Sequence, residues 1–458
     1  MYFGGTLYWV YGVMATYGNL PWWVAVVVTA LLSAYLAIYS GLFALLVGLA
    51  VRRFGASGVW LAPWFWVAAE WARSWVGGGF PWVLLGTSQA SVIPVVQLAS
   101  LVGVYGLSWF VALVSSAAAV VALSRRAVHL RGAIAVGGLV VIVAIAGMVR
   151  VSAARLVTAG EALRVGLVQG NVEQVAKWNP AYRDAILQRY VDLSRQAIGG
   201  GAALVVWPES STPFFFDAES TLAEPVRRLA AQSHTPFLIG TDDFEPGVNG
   251  DANHIYNAAV LVGRDGQSRG SYRKMMLVPF GEYVPFKRLL FFVGPLVEAV
   301  SDFSPGTEPV VFDLYGRRLS VSICYESVCP WISRAFVTHG SELLTTITND
   351  AWFGRTSAAY QHFEQGAIRA VEEGRYVVRA ANTGVSGAVD PYGRVIVRTQ
   401  LFEPAAILVD VRLLTDRTIY SRLGDLVAWV SMAVTGLIVV MGRQPRAHQA
   451  RASASGTG

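Results

Sequence analysis

From Trp22 to Ala50 the chain carries no charged residue, and the same holds from Ser91 to Leu123 and from Gly132 to Val149. A helix rises about 1.5 Å per residue and the hydrocarbon core of a bilayer is about 30 Å thick, so each run can cross a membrane as a helix. Ser57 to Val76 is a fourth candidate, interrupted by Glu70 and Arg73. Leu426 to Met441 is a fifth, short but flanked by Asp425 and Arg443, whose side chains can snorkel. Gly4 to Tyr17 is apolar and shorter still, and reads as a partial span or a re-entrant piece.

Composition agrees with a membrane setting. Hydrophobic residues make up 54% of the 458 residues and charged residues only 14%, against about 25% charged in an ordinary soluble domain. The scarcity of charge is confined to the first 150 residues and to the stretch after 424, whereas 150–423 has the composition of a soluble α/β protein. The basic residues between spans set an orientation. Arg52 and Arg53 follow the first long run, Arg125, Arg126 and Arg131 separate the next two, and Arg443, Arg446 and Arg451 trail the last. With those segments on the cytoplasmic side, the domain between the third run and the terminal one lies on the outer face of the cytoplasmic membrane. Much of the net charge of +6 is then topological, and no basic run interleaved with aromatics points to nucleic acid. The tail 443–458, polar, small and basic, reads as disordered and cytoplasmic.

The polar middle of the chain alternates strand and helix signals. Leu163 to Gln169, Ala203 to Trp207, Pro236 to Gly240, Tyr256 to Val262, Arg318 to Cys324, Leu343 to Thr348 and Tyr376 to Ala381 read as short buried strands. Amphipathic stretches such as Ala181 to Ala197 and Gln361 to Glu373 lie between some of them, which predicts a layered α/β sandwich.

Three polar residues stand at or near strand ends: Glu209 in Trp207-Pro208-Glu209, Lys274 in Tyr272-Arg273-Lys274, and Cys324 in Ile323-Cys324-Tyr325-Glu326. A thiol attacks a carbonyl as thiolate and needs a base or a neighbouring cation to become one. Glu209 can supply the base, its proton affinity raised by partial burial, and Lys274 the cation, which also stabilises the oxyanion of a tetrahedral intermediate. Each residue alone has a blander reading: a solvated strand-end glutamate, a surface lysine, an inert core cysteine.

The surrounding words carry more. Trp207-Pro208-Glu209-Ser210, Tyr272-Arg273-Lys274 running into Leu277-Val278-Pro279-Phe280-Gly281-Glu282-Tyr283-Val284-Pro285, Ile323-Cys324-Tyr325-Glu326, and Thr348-Asn349-Asp350-Ala351-Trp352-Phe353-Gly354 closely resemble the apolipoprotein N-acyltransferases, the membrane-bound branch of the nitrilase superfamily. Glu70-Trp71-Ala72-Arg73 and Gly79-Phe80-Pro81-Trp82 resemble that family's membrane signatures. The resemblance implies a multi-helix transmembrane domain over 1–150, a nitrilase-like αββα sandwich over 160–415 and a single C-terminal transmembrane helix over 424–442. It also implies a ping-pong acyl transfer without a cofactor. Cys324 takes a fatty chain from a membrane phospholipid as a thioester and passes it to the α-amine of a diacylated apolipoprotein, with Glu209 as general base and Lys274 as stabiliser.

Other positions carry over one at a time. Glu282 matches a glutamate needed for activity, Tyr325 and Glu326 the residues after the nucleophile, and Trp178 a tryptophan near the substrate opening. For Glu282 a loop carboxylate, and for Trp178 a core or interface ring, are the plain alternatives. Pro213 to Phe216 and Leu289 to Val300 fit acyl chains or the membrane surface, or else pack inside. Cys329 reads as an unpaired structural thiol, and His254 and His362, which have no partner at metal-ligand spacing, as structural or surface residues; no metal site is indicated. The family carries more apolar sequence ahead of the equivalent of Gly4 to Tyr17, so the resemblance implies a membrane half shortened at its start. The competing functions are a membrane-tethered amidohydrolase using the same three residues with water as acceptor, and a catalytically silent lipid-binding protein.

Overall fold

Side chains alternate across a strand, and in this chain both faces of the central strands find an apolar partner. The computed structural model describes residues 2–18, 20–124, 126–247, 253–279, 281–283 and 303–443. One sheet contains β1 (Glu161–Gln169), β2 (Leu204–Val206), β3 (Phe237–Glu245), β4 (His254–Val262), β5 (Ser268–Arg273) and β12 (Ala405–Leu413), in the order β12-β1-β2-β3-β4-β5. The second contains β6 (Val311–Leu314), β7 (Arg317–Ile323), β8 (Leu343–Thr348), β9 (Val377–Ala381), β10 (Gly387–Val389) and β11 (Val395–Arg398), in the order β11-β10-β9-β8-β7-β6. In β2, Leu204 and Val206 face a core shared with Val321, Ile323 and Ile347 of the other sheet, while Val205 faces Tyr190, Val226 and Phe237 under the outer helices.

The parallel pairs, β1 with β2, β2 with β3, β7 with β8 and β8 with β9, each need a crossover. Helices Arg183–Gly199, Ser220–Ser233, Pro330–Thr338 and Ser357–Glu373 supply them, and the result is the αββα sandwich expected from the motifs. All six residues of β8 are buried, as a strand covered on both faces requires. The seven predicted strands are present with ends shifted by up to five residues. Two of the strands the apolar pattern did not announce are polar or exposed at a sheet edge: β5 reads Ser-Arg-Gly-Ser-Tyr-Arg, and β11 is largely exposed.

Three helical stretches, Trp22–Arg73, Ala99–Leu123 and Ala127–Thr158, are long and apolar enough to cross a membrane, and Leu426–Met441 is apolar over a shorter length. Trp22, Leu31, Ile134, Ile142 and Val149 point outward, as lipid-facing residues do. Ser57 to Val76 differs from the single interrupted span expected: a 3-10 turn over Gly55–Leu61 precedes a helix over Ala62–Arg73. Gly4 to Tyr17 forms short helical turns that dock on the sandwich, with the Tyr17 hydroxyl donating to the Ala351 carbonyl at 2.7 Å and the Trp9 ring 5.0 Å from Phe353. Helix Ala99–Leu123 is broken at Gly103, where φ is +68°, and the freed Val104 N–H donates to Glu372 of the sandwich at 2.6 Å.

Candidate active site

Parallel strands deliver their C-terminal ends to one edge of the sandwich, and the predicted residues are there. Glu209 follows β2, Lys274 follows β5 directly, and Cys324 follows β7. Cys324 has φ +52°, the left-handed region that a residue with a Cβ adopts only when its surroundings impose it. Strand geometry ends at Ile323 and a 3-10 turn, Cys324–Val328, begins at once, so the half-buried Cys324 stands at a sharp corner.

Glu209, Lys274 and Glu282 are all buried, and one ammonium serves both carboxylates. The Lys274 Nζ lies 2.7 Å from Glu282 Oε1 and 3.4 Å from Glu209 Oε1. Asn257 of β4 donates from Nδ2 to both, at 2.7 Å to Glu209 and 2.9 Å to Glu282. The Asn349 N–H donates to Glu209 Oε2 at 2.7 Å, and the Val278 N–H to Glu282 Oε2 at 2.8 Å. Burial would raise the Glu209 carboxyl, but Lys274, Asn257, Lys177 and the Asn349 N–H outweigh it and hold it below the usual range. That corrects the expectation of a raised proton affinity: Glu209 is an ionised base because charge partners win over burial. Burial would likewise lower Lys274, but Glu282 and then Glu209 hold it raised, so it is a permanent cation.

The thiol is the opposite case. Burial, and then the Glu209 charge, push Cys324 well above the ordinary thiol value, and Lys274 pulls against them without prevailing. The resting nucleophile is a neutral thiol beside an ionised carboxylate, which makes proton transfer part of the attack.

Glu326 ties the site together. Its carboxylate accepts from the Ile323 N–H at 2.7 Å, the Met275 and Met276 N–H groups at 2.7 and 3.1 Å, and the Tyr272 hydroxyl at 2.7 Å, linking the Cys324 corner to the Lys274 strand. Burial pushes its carboxyl up to about 7 against those hydrogen bonds. Tyr325 points toward the membrane half: its hydroxyl donates to the Gly79 carbonyl at 3.2 Å and its ring stacks on Trp82, with centroids 6.3 Å apart and planes 9° from parallel.

The carbon-nitrogen hydrolase family model matches residues 164–418, and the model of the apolipoprotein N-acyltransferase N-terminal domain matches 1–117. The chain is 37% identical to an apolipoprotein N-acyltransferase of Geobacter metallireducens over 96% of its own length and 84% of the relative's. The chain belongs to the apolipoprotein N-acyltransferase family. Family members from Shewanella oneidensis and Methylococcus capsulatus are each 34% identical to it, over 91% and 99% of this chain and 80% and 88% of theirs. Among solved structures, an amidase from Nesterenkonia sp. aligns with 59% of this chain and 96% of its own at a TM-score of 0.43 and 22% identity. This protein is therefore a membrane-bound acyltransferase with a nitrilase-type sandwich.

Reading the acyltransferase sequence for chemistry missed three residues that hold Glu209. Asn257 falls inside the apolar run Tyr256 to Val262, where its one signal is an amide beside Ala258, Ala259 and Val260. Asn349 lies inside the Thr348-Asn349-Asp350-Ala351-Trp352-Phe353-Gly354 stretch, and the bond it makes comes from its backbone N–H, which residue type does not signal. Lys177 is buried and donates to the Glu209 carbonyl at 3.3 Å, and burial lowers it to about 8. Its neighbour Trp178 is 50% exposed, so it is not a core ring. Phe214 and Phe216 pack in the core, which corrects the lipid-facing reading of Pro213 to Phe216 for those two rings, while Leu289 to Val300 lies outside the described residues, as does the tail from 444. Cys329 is a buried free thiol. His254 is an exposed surface residue, and His362 is fully buried.

Proposed function

We propose that this chain moves a fatty acyl chain from a membrane phospholipid, through a thioester on Cys324, to the N-terminal α-amine of a diacylglyceryl-cysteine lipoprotein. The observation that carries the reading is one buried lysine shared by two carboxylates, Glu209 and Glu282, with the Glu209 and Lys274 charges acting on a thiol at a strained strand end. As the thiol attacks the ester carbonyl, Glu209 takes its proton, and Lys274 and the Tyr325 N–H, which lies in the first turn of the 3-10 segment Cys324–Val328, face the growing oxyanion. Glu209 then returns the proton to the departing lysophospholipid alcohol. In the second half the neutral amine attacks the thioester, Glu209 receives the amine proton, and the leaving thiolate regains it. Glu282 keeps Lys274 charged and aimed, Glu326 holds the corner, and Trp178 marks the exposed approach to Lys177 and Glu209.

The same reading assigns 1–150 to the membrane and 160–415 to a catalytic domain on the periplasmic side of the cytoplasmic membrane. A C-terminal transmembrane helix over 424–442 and a cytoplasmic tail complete it. The segregation of the arginine-bearing segments supports that placement.

The test is a two-stage label transfer. Purified protein receives a phospholipid carrying a labelled chain, then a diacylated lipopeptide with a free α-amine. A hydroxylamine-sensitive label on wild type, absent from Cys324→Ala and passed to the peptide amine, is expected. Label released only to water would replace the acyltransfer reading with hydrolysis. Reporter fusions at Arg126 and Gly240 are expected on opposite faces of the membrane; the same face for both overturns the topology.

A further inference from the structure

The strained backbone of Cys324 has to be held by something, and none of Glu209, Lys274 or Glu282 touches it. Its carbonyl accepts from His362 Nε2 at 3.0 Å and from the Ser327 hydroxyl at 3.0 Å. Nε2 also lies 3.0 Å from the Ser327 hydroxyl, but that hydroxyl is committed to the Cys324 carbonyl; a carbonyl only accepts, so the Nε2 bonded to it carries the proton. On the other edge of the ring, Arg379 Nη2 lies 2.9 Å from Nδ1 and 2.8 Å from Asp350 Oδ2, while Asp350 Oδ1 sits 2.9 Å from Nδ1 and accepts from Thr348 at 2.8 Å. The Trp82 ring, supplied by the membrane half, covers the imidazole at 5.3 Å between centroids, and its indole N–H donates to Gln361 at 2.9 Å. His362, Asp350, Arg379 and Trp82 are all buried.

We propose that His362 is a positioning residue of the acyl-transfer site, which sets the left-handed backbone of Cys324 through its Nε2–H, with its own orientation fixed by the Arg379 hydrogen bond to the bare Nδ1, Arg379 in turn held by Asp350, and its face closed by Trp82. Nothing in packing alone asks for an imidazole there, since a buried apolar ring would fill the volume without needing Arg379 and Asp350 to satisfy it. Burial and then Arg379 hold the imidazole below its ordinary value, so it stays a neutral ring with one proton to give. The charge state suits a fixed hydrogen bond rather than proton shuttling. Released from that bond, the Cys324 corner relaxes toward ordinary backbone angles and the thiol leaves its line to Glu209 and Lys274. The membrane half thereby becomes part of the catalytic geometry, because Trp82 reaches the nucleophile through both His362 and Tyr325.

The inference rests on Cys324 being the acylated residue, and the experiment separates the two. Full-length His362→Gln, His362→Asn and His362→Leu are compared with wild type for phospholipid-dependent labelling of Cys324, for donor KM and kcat, and for unfolding temperature. The Gln amide can reach the place of Nε2, whereas the shorter Asn amide lies near Nδ1. Thioester formation per folded molecule is expected to fall about 100-fold in the Leu and Asn variants, the cost of a displacement of about 1 Å at a reacting atom, with donor KM unchanged and Gln recovering most of the rate. If wild type itself gives no label on Cys324, the acyltransfer reading fails. If wild type is labelled and Gln, Asn and Leu behave alike, or their loss only tracks the folded fraction, the positioning role is overturned. Where Leu does not fold, the order of Gln over Asn still decides, and failure of all three to fold places His362 in the core alone and refutes the proposal.

Discussion

Glu209 and Glu372 are both buried side chains of the sandwich, yet Glu209 is held below the usual carboxylate range while burial pushes Glu372 up to about 8. Lys274, Asn257 and the Asn349 N–H converge on Glu209, which ends at the mouth of the parallel strands where backbone donors are free. Glu372 stands at the seam with the membrane helices, beside Glu373, and has Arg369 at 3.0 Å and the Val104 N–H at 2.6 Å. Burial wins there, and the neighbouring Glu373 is pushed up to about 7 as well. Similar burial yields an ionised base in one place and a neutral hydrogen-bonding acid in the other, according to how many donors meet the carboxylate. The first arrangement serves chemistry; the second lets a carboxyl cap a broken membrane helix without stranding a charge near lipid.

The comparison breaks most sharply at Lys274. Lys274→Met leaves Glu209 and Glu282 as two buried carboxylates with no shared cation. It is expected to cost about 3–5 kcal/mol of stability in chemical unfolding and to lower Cys324 acylation by about 1,000-fold or more. Acylation within a few fold of wild type would remove Lys274 from the chemistry.

At the seam, a Cβ on Gly103 would overlap the Tyr420 ring, and φ there is +68°. Gly103→Ala is therefore expected to cost about 1–3 kcal/mol or more, lowering the unfolding temperature while the folded fraction keeps most of its acylation rate. A selective loss of rate with stability intact would show that the helix break feeds the site.

The two carboxylates also predict opposite pH slopes. Glu209 has a depressed folded value, so the stability it contributes is present above its unfolded value of about 4.3 and is lost as pH falls through the folded one. Glu372 has a raised folded value, so its favourable contribution is full below about 4.3 and is lost as pH rises toward about 8. Glu372→Gln is expected to flatten the fall in unfolding free energy over that window and to make the variant relatively more stable at the alkaline end. An unchanged slope between wild type and variant would mean Glu372 is already ionised near neutrality.

The smallest effect is expected at Cys329, which is buried, free and five residues beyond the nucleophile. Cys329→Ala should cost about 1 kcal/mol and leave labelling on Cys324 unchanged; loss of label would move the acyl chain to Cys329.

Much of this was legible in the chain. Uncharged runs announced the membrane helices because lipid excludes charge whatever the fold, and buried strands such as Leu343–Thr348 announced themselves because both faces are covered. Polar β5 and exposed β11 were silent, since an edge strand is held by backbone hydrogen bonds that leave no apolar pattern. The motif words named Glu209, Lys274, Cys324 and Glu282, but not the Asn257 amide that bridges two of them across 25 and 48 residues of chain.

Residue types and local order by themselves determined the class of chemistry, the division into apolar and polar halves, and the strand ends on which the reactive groups stand. The tertiary structure decided their protonation. Burial alone would have raised Glu209, and the convergence of Lys274, Asn257, Lys177 and Asn349 from separate segments of the chain reverses that. It also decided the place of His362, which local sequence left as a structural or surface residue and which the packing of Ser357–Glu373 brings against the backbone of Cys324, 38 positions away. Charge partners and backbone contacts of this kind fall off over a few ångströms, so they depend on which segments meet in space, and sequence spacing does not report that.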